Sequence, residues 1–337
     1  MATRIGAIDI GGTKAKSGIW DARAKRLLDV GIEVDTPMTP DQPEFVEALE
    51  PLFQYFSRHD VDAVGMVAPP LLHYATNDPR RPWAELPYGV SHPQIVRSQR
   101  LPDRSPDDGQ SYYRGGEAIN ITSMRGRSFD LRSAVQRRMN CETFASKDTV
   151  GNIYAELRVG VGRQRKGWDS FVLVIDGTGF GIGAARDGEV VPRQKTLLRD
   201  QEGNLVSPSV LRRLGQAISI QTETAGPLVP IRYGDLTKAD DAERRAAARD
   251  IARKHAVALT KLDPDLGSQY VLTGGIFTRL LPEEIPQAYE EALSDFGVES
   301  PKAIVSPLGP HVGLIGAGEV AAIGLERLRV LEPGLGI

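Results

Sequence analysis

Two segments of this 337-residue chain join an acidic residue to a glycine turn: Asp9-Ile10-Gly11-Gly12-Thr13-Lys14 near the start, and Asp176-Gly177-Thr178-Gly179-Phe180-Gly181 in the second half. In each, an apolar run ends in the carboxylate and small residues follow, so backbone N–H groups can approach an anion without a Cβ in the way. Two such turns in one chain point to a nucleotide held between two halves. An aspartate at the end of a buried strand is costly unless paired, and Mg²⁺ with its waters beside phosphates would supply the partner for Asp9. A turn-capping role for Asp9 is the plainer alternative. Lys14 either adds charge near a phosphate or points to solvent.

These residues need elements to hold them in place. Residues 4–10, 15–20 and 27–33 read as an opening meander of strands. Residues 43–58 follow as a helix with Phe45, Leu49, Leu52, Phe53 and Phe56 on one side, and 61–67 as a buried strand. Further on, the pattern predicts a helix over 131–139, a strand over 142–147 and a helix over 148–159, with Asp148 at the strand-to-helix junction. Residues 170–175, 181–186 and 189–191 then repeat the opening meander, glycine turn included, an internal duplication of architecture. Helices over 207–218, 240–262 and 282–296, strands over 269–272 and 303–305, and a small-residue helix over 313–328 complete the pattern. Such an order predicts α/β domains with helices on both faces of a mixed sheet. The stretch 68–117, rich in Pro, Arg and Gly and carrying Trp83, Tyr88, Tyr112 and Tyr113, reads either as a partly ordered flap or as a surface insertion.

Chain length suits two domains of roughly 150 residues each, able to enclose a cleft. The 41 basic and 44 acidic residues leave a net charge of −3, with no global positive field to attract nucleic acid or an anionic membrane. Cys141 is the single cysteine, which excludes an intramolecular disulfide and any multi-cysteine zinc site. No apolar run approaches the ~20 residues that span a bilayer, and no basic-then-apolar leader precedes the first strand, so a soluble cytoplasmic protein is expected.

Four segments, in matching order over nearly the whole chain, resemble the ROK family of sugar kinases within the actin-like ATPase superfold: Asp9 to Lys14, Asp148 before its helix, Asp176 to Gly183, and Leu272-Thr273-Gly274-Gly275-Ile276. The closing Gly313-Leu314-Ile315-Gly316-Ala317 is similar to the family's last helix. The resemblance implies two actin-like (ribonuclease H-like) α/β domains, with mixed sheets flanked by helices and an inter-domain cleft. One would run over 1–147 with the 68–117 insertion and be completed by helix 313–332; the other, over 148–312, would bind nucleotide. It implies an ATP- and Mg²⁺-dependent kinase acting on a hydroxyl of a sugar or sugar-like polyol, with a homodimer expected and no nucleic-acid or membrane partner. Gly11, Gly12, Thr13 and Lys14 would then face phosphate, with Asp9 on Mg²⁺ through water. Gly177, Thr178 and Gly179 would form the second clamp, and Gly274 with Gly275 would lie against adenosine, a tight turn being the alternative. Asp148 matches the family's general base, which accepts the proton of the attacking hydroxyl; Asp is also a favoured helix N-cap.

The departures shape the substrate question. ROK sugar kinases usually carry a Gly-Glu-Ile-Gly-His sugar clamp and a cysteine cluster on zinc, where this chain reads Gly188-Glu189-Val190-Val191-Pro192-Arg193 and then no Cys or His through Leu205. No zinc site is expected there. Asn120 resembles the family's sugar-contacting Asn, and Glu202 lies near its second sugar-binding Glu. Lys147 replaces the Asn that usually precedes the base, which brings a cation or an anion-binding group beside Asp148. The 68–117 segment is expected to supply substitute walls. A hexose, an amino sugar or a cyclitol fits this reading, whereas a catalytically silent sensor or scaffold is the alternative. ROK repressors carry a helix-turn-helix ahead of the kinase-like part, for which a first strand at Arg4 leaves no room.

Overall fold

The computed structural model describes residues 3–11, 14–36, 42–68, 118–119, 128–129, 131–177, 180–191, 196, 198–199, 205–206 and 229–331. The chain divides into two compact units, one made of Met1–Ala155 with Gly313–Ile337 and the other of Glu156–Val312. Gly12, Thr13, Asn120, Thr178, Gly179, Glu202, the 207–218 helix and all but Ala68 of the 68–117 flap lie outside the described residues.

The first unit opens with β1 (Arg4–Ile10), β2 (Lys14–Asp21) and β3 (Arg26–Asp35). Next come α1 (Gln42–Ala48), α2 (Glu50–Ser57) and β4 (Ala63–Ala68). A two-residue pairing of β5 (Ala118–Ile119) with β6 (Ser128–Phe129) precedes α3 (Leu131–Met139), β7 (Glu142–Lys147) and α4 (Asp148–Arg158). The sheet order is β3-β2-β1-β4-β7, antiparallel through the meander and parallel from β1 onward. Parallel pairing gathers the C-terminal ends of β1, β4 and β7 at one edge: Asp9 stands beside Val67, and Ala68 beside Lys147. Two strand spacings, about 10 Å, separate the β1 and β7 ends.

The single helix expected over 43–58 is two. Pro51 has no amide hydrogen and its ring crowds the carbonyl four residues back, so the chain breaks at Leu49 and restarts with Pro51 in the first turn. The five apolar residues remain on the inner side, each fully buried.

The second unit continues with α5 (Val161–Gln164), β8 (Phe171–Asp176), β9 (Phe180–Arg186) and β10 (Glu189–Val190). After the short pair β11 (Leu198–Arg199) and β12 (Leu205–Val206) come α6 (Val229–Tyr233), α7 (Asp241–Leu259) and β13 (Gln269–Thr273). A π turn over Ile276–Leu280, α8 (Ile285–Asp295) and β14 (Lys302–Val305) complete it. Its sheet, β10-β9-β8-β13-β14, repeats the layout of the first: an antiparallel meander, then parallel strands. The duplication anticipated from the two glycine turns is therefore present in the topology. Helix α7 is fixed at its start by a capping box, in which Asp240 accepts from the N–H of Ala242 and Glu243 while Glu243 accepts from the N–H of Asp240. The helix expected over 282–296 begins only at Ile285.

The last helix, α9 (Val312–Leu331), returns to the first unit and packs on it through glycines: Gly318 against Trp20, Gly324 against Phe144, and at two points backbone against backbone. A Cβ on Gly65 of β4 would fall 1.9 Å from the Ala317 carbonyl oxygen, and one on Gly316 would fall 2.5 Å from the backbone of Gly151 in α4. Both distances are far below van der Waals contact, so α9 touches strand and helix backbone to backbone. Among the described residues no helix is long and apolar enough to cross a membrane.

Candidate active site

In the first unit, hairpin register sets the chemistry. Asp9 of β1 is directly opposite Lys16 of β2, and cross-strand partners share one face of the sheet. Enclosure by protein raises the Asp9 carboxyl from 3.8 to about 6; Lys16 pulls it down and Asp148 pushes it up. A third neighbour comes from α9, where a Cβ on Gly313 would lie 2.2 Å from Asp9 Oδ2. The first turn of that helix therefore abuts the carboxylate, where the helix dipole favours negative charge. A desolvated carboxylate with a second carboxylate in electrostatic reach is a setting that an oxygen-seeking divalent ion would stabilise, and Mg²⁺ characteristically takes only one or two protein carboxylates beside substrate phosphates. Among the described residues no group of three or more His, Cys, Asp and Glu side chains gathers to hold a metal by itself.

Asp148 is the first residue of α4, and its Oδ1 accepts the Thr149 N–H at 2.6 Å. Lys147 ends β7 immediately before it. The strand edge and the helix start thus bring Asp9, Lys147 and Asp148 to one end of one sheet. Lys14 points elsewhere: its Nζ lies 2.8 Å from Asp35 Oδ1 and 3.8 Å from Glu33 Oε1, and the hydrogen bond to Asp35 holds its ammonium above the usual lysine value. Gly11 closes its turn by donating its N–H to the Lys14 carbonyl at 2.7 Å, and its own carbonyl accepts from Thr36 Oγ1 at 2.7 Å. The cation that faces Asp9 is Lys16, which motif reading passed over because the motif ends at Lys14. The two-residue alternation of the hairpin was the signal that could have found it.

The second glycine turn has a different foundation. Asp176 ends β8 and is wholly buried, with His255 Nε2 of α7 at 3.3 Å from its Oδ2. The other ring nitrogen of His255, Nδ1, contacts the Tyr289 hydroxyl of α8. Burial drives the imidazole down to about 3, with Lys254 adding to the effect, so the ring is neutral near pH 7. Burial likewise holds the Tyr289 phenol well above its usual value. Gly274, at the end of β13, has φ +105°, and a Cβ there would fall 2.2 Å from the Asp176 carbonyl oxygen. What demands a glycine at 274 is the backbone of Asp176. Among the described residues nothing lies within 4 Å of where a Cβ would stand on Gly177 or Gly275, so these two present open backbone there. Neither His255 nor Tyr289 stood out in the sequence, where each lies within an ordinary helical pattern.

The match to the ROK family sequence model runs over residues 113–193. It contains Asp148, the whole second glycine turn and, at its end, the Gly188 to Arg193 stretch that stands where the usual sugar clamp would be. The ROK resemblance holds. Among solved structures, a ROK hexokinase from Thermus thermophilus is 21% identical, with 96% of this chain and 99% of that one covered at a TM-score of 0.58. A ROK family glucokinase from Streptomyces griseus, solved with glucose and AMPPNP, is 19% identical over 94% of this chain and 98% of its own, TM-score 0.59. A ROK family transcriptional regulator, a homologue of E. coli MLC, is 13% identical over 98% of this chain and 81% of its own, TM-score 0.61. At these identities the likeness establishes the fold, the two mixed sheets flanked by helices of ROK structures. Comparison with curated protein sequences gives no match.

Proposed function

We propose that this protein is an ATP- and Mg²⁺-dependent kinase that phosphorylates a hydroxyl of a sugar or sugar-like polyol, with Asp148 as general base. The observation that carries the reading is the meeting of Asp9 and Asp148 at one end of the first sheet, close enough for one charge to shift the other. Asp148 would orient the acceptor hydroxyl and take its proton as the oxygen attacks the γ-phosphorus, the ADP oxygen leaving on the far side. Asp9 would hold Mg²⁺ through water. A bound ion would neutralise developing phosphate charge, and Lys16 favours the ionised form of the Asp9 carboxylate that would hold it. Gly12, Thr13, Thr178, Gly179 and the open backbone of Gly177 and Gly275 would line the phosphates and nucleoside. Asn120, Lys147 and Glu202 would meet the acceptor, whose pocket lacks the usual clamp, so an amino sugar or a cyclitol is proposed beside a hexose.

The test is an ADP-release screen across hexoses, amino sugars and cyclitols with wild type and Asp148→Asn. Turnover on one acceptor class, lost in the variant while Mg-nucleotide still binds, supports the reading. The regulator's fold match, as high as that of the kinases, favours a silent sugar- or nucleotide-binding sensor as the second reading. Tight acceptor binding without ADP release in any arm would decide for the sensor.

A further inference from the structure

One side chain packs against both strand ends that flank the second glycine turn. His255 meets both feet of the turn: its Nε2 lies 3.3 Å from Asp176, the last residue before the turn, and its ring packs on Phe180, the first residue after it, with centroids 4.3 Å apart. Asp176 and Phe180 are themselves cross-strand partners at the mouth of the β8–β9 hairpin. The ring also stands edge-on to Phe277 at 6.0 Å, in the π turn that follows Gly274 and Gly275, and to Tyr289 at 5.8 Å, whose hydroxyl meets Nδ1. Phe277 and Tyr289 close the cluster at 5.7 Å. A wholly buried carboxylate, imidazole and phenol could all have been replaced by packed hydrocarbon at little energetic loss. Their geometry gives them a use, because the contacts of His255 with Asp176, Phe180 and Phe277 fall on segments that flank the two glycine turns.

We propose that His255 is a positioning residue that fixes the second glycine turn and couples it to the Gly274–Gly275 turn, so that both present their backbones to one nucleotide in a set spacing. In this arrangement the neutral ring directs Nε2–H toward Asp176 and accepts from the Tyr289 hydroxyl at Nδ1. Asp176 is then an internal brace, unlike its counterpart Asp9. The inference rests on the nucleotide reading given above for what the turns hold.

The experiment uses the full chain with His255→Phe, His255→Gln and Tyr289→Phe. His255→Phe keeps the ring packing and removes both polar contacts; His255→Gln retains a donor toward Asp176; Tyr289→Phe removes only one hydroxyl. The expected outcome is an ATP KM raised about tenfold in His255→Phe with kcat and acceptor KM within about threefold, substantial recovery in His255→Gln, and a rise of about threefold in Tyr289→Phe. Should His255→Phe fail to fold, the other two variants carry the same contrast. Unchanged ATP KM in the folded variants overturns the proposal, as does an equal fall in every parameter, which marks general loosening. Amide hydrogen exchange without nucleotide supplies a separate reading: exchange should quicken in peptides covering 176–181 and 274–280 while 171–174 stays protected. If wild type binds no Mg-nucleotide, the kinase reading fails on its own. The exchange pattern still decides whether His255 braces the turns, and wild-type exchange in the variants refutes it.

Discussion

The two units carry the same local device, a strand with aspartate last or next to last and a glycine turn after it, and they use it in opposite ways. Asp9 stays at the rim of its sheet, faced by Lys16, by Asp148 and by the first turn of α9, and burial raises its carboxyl to about 6. Asp176 is sealed beneath its sheet end, against a neutral imidazole and under the backbone of Gly274. A duplicated turn does not therefore imply a duplicated role. What surrounds the carboxylate decides whether it serves chemistry or architecture, and apart from Lys16 those surroundings come from elements far away in sequence.

The comparison is broken most directly at its chemical end. Asp148→Asn should lower kcat by about 100-fold or more, the scale of losing a general base, and leave Mg-nucleotide affinity nearly unchanged. Wild-type turnover would remove Asp148 from the mechanism and leave its helix-start position as its whole role. The architectural end is tested by adjacent glycines. Gly274→Ala forces a Cβ into the Asp176 backbone at positive φ and should cost roughly 2–4 kcal/mol in denaturant unfolding. Gly275→Ala enters open space and should change stability by only about 0.5 kcal/mol. Equal losses at the two sites would show that the tight contact at Gly274 is not what selects glycine.

Asp9→Asn should raise the Mg²⁺ concentration needed for half-maximal activity by about tenfold, as expected when one anionic ligand is lost. An unchanged metal requirement would reduce Asp9 to a turn cap. The smallest effect is on acid stability, and here the two units pull in opposite directions. The folded chain keeps a proton on Asp9 between about 3.8 and 6, where the unfolded chain has released it, so this contribution falls as pH rises through that window. His255 works the other way. The unfolded chain protonates it below about 6.5 and the folded chain not until about 3, so stability falls as pH drops through that range. Unfolding midpoints at pH 4.5 and 7.5 should therefore show Asp9→Asn gaining on wild type at the higher pH. A gain at the lower pH would contradict the desolvation of Asp9.

Much of this was legible in the sequence because it is local. Apolar runs carrying an aspartate into a glycine turn located β1 and β8, and the strand-to-helix change at Lys147 and Asp148 located the candidate base. The repeat of the meander revealed the duplicated architecture, although not the order of the parallel strands that complete each sheet. Pro51 carried enough information to split the first long helix, but its apolar periodicity runs unbroken across the break. Lys16 required the hairpin register as well as the motif. His255, Tyr289 and the contact of Gly313 with Asp9 were illegible for another reason: each depends on which helix packs over which strand end, and helical periodicity says that a face is buried without saying against what.

The return of α9 to the first sheet also bears on how the protein is made. The ribosome delivers residues 4–155 first, yet the backbone surface over Gly65 and the flank of Asp9 are closed only by residues from Val312 onward. At about 5–20 residues per second, the second unit takes roughly 10–30 s to emerge, and through that interval the first lacks the helix that meets Gly65 and Asp9. The earlier half of the chain is thus the later one to mature, and its nascent form is the stage at which chaperones and premature termination would be felt most.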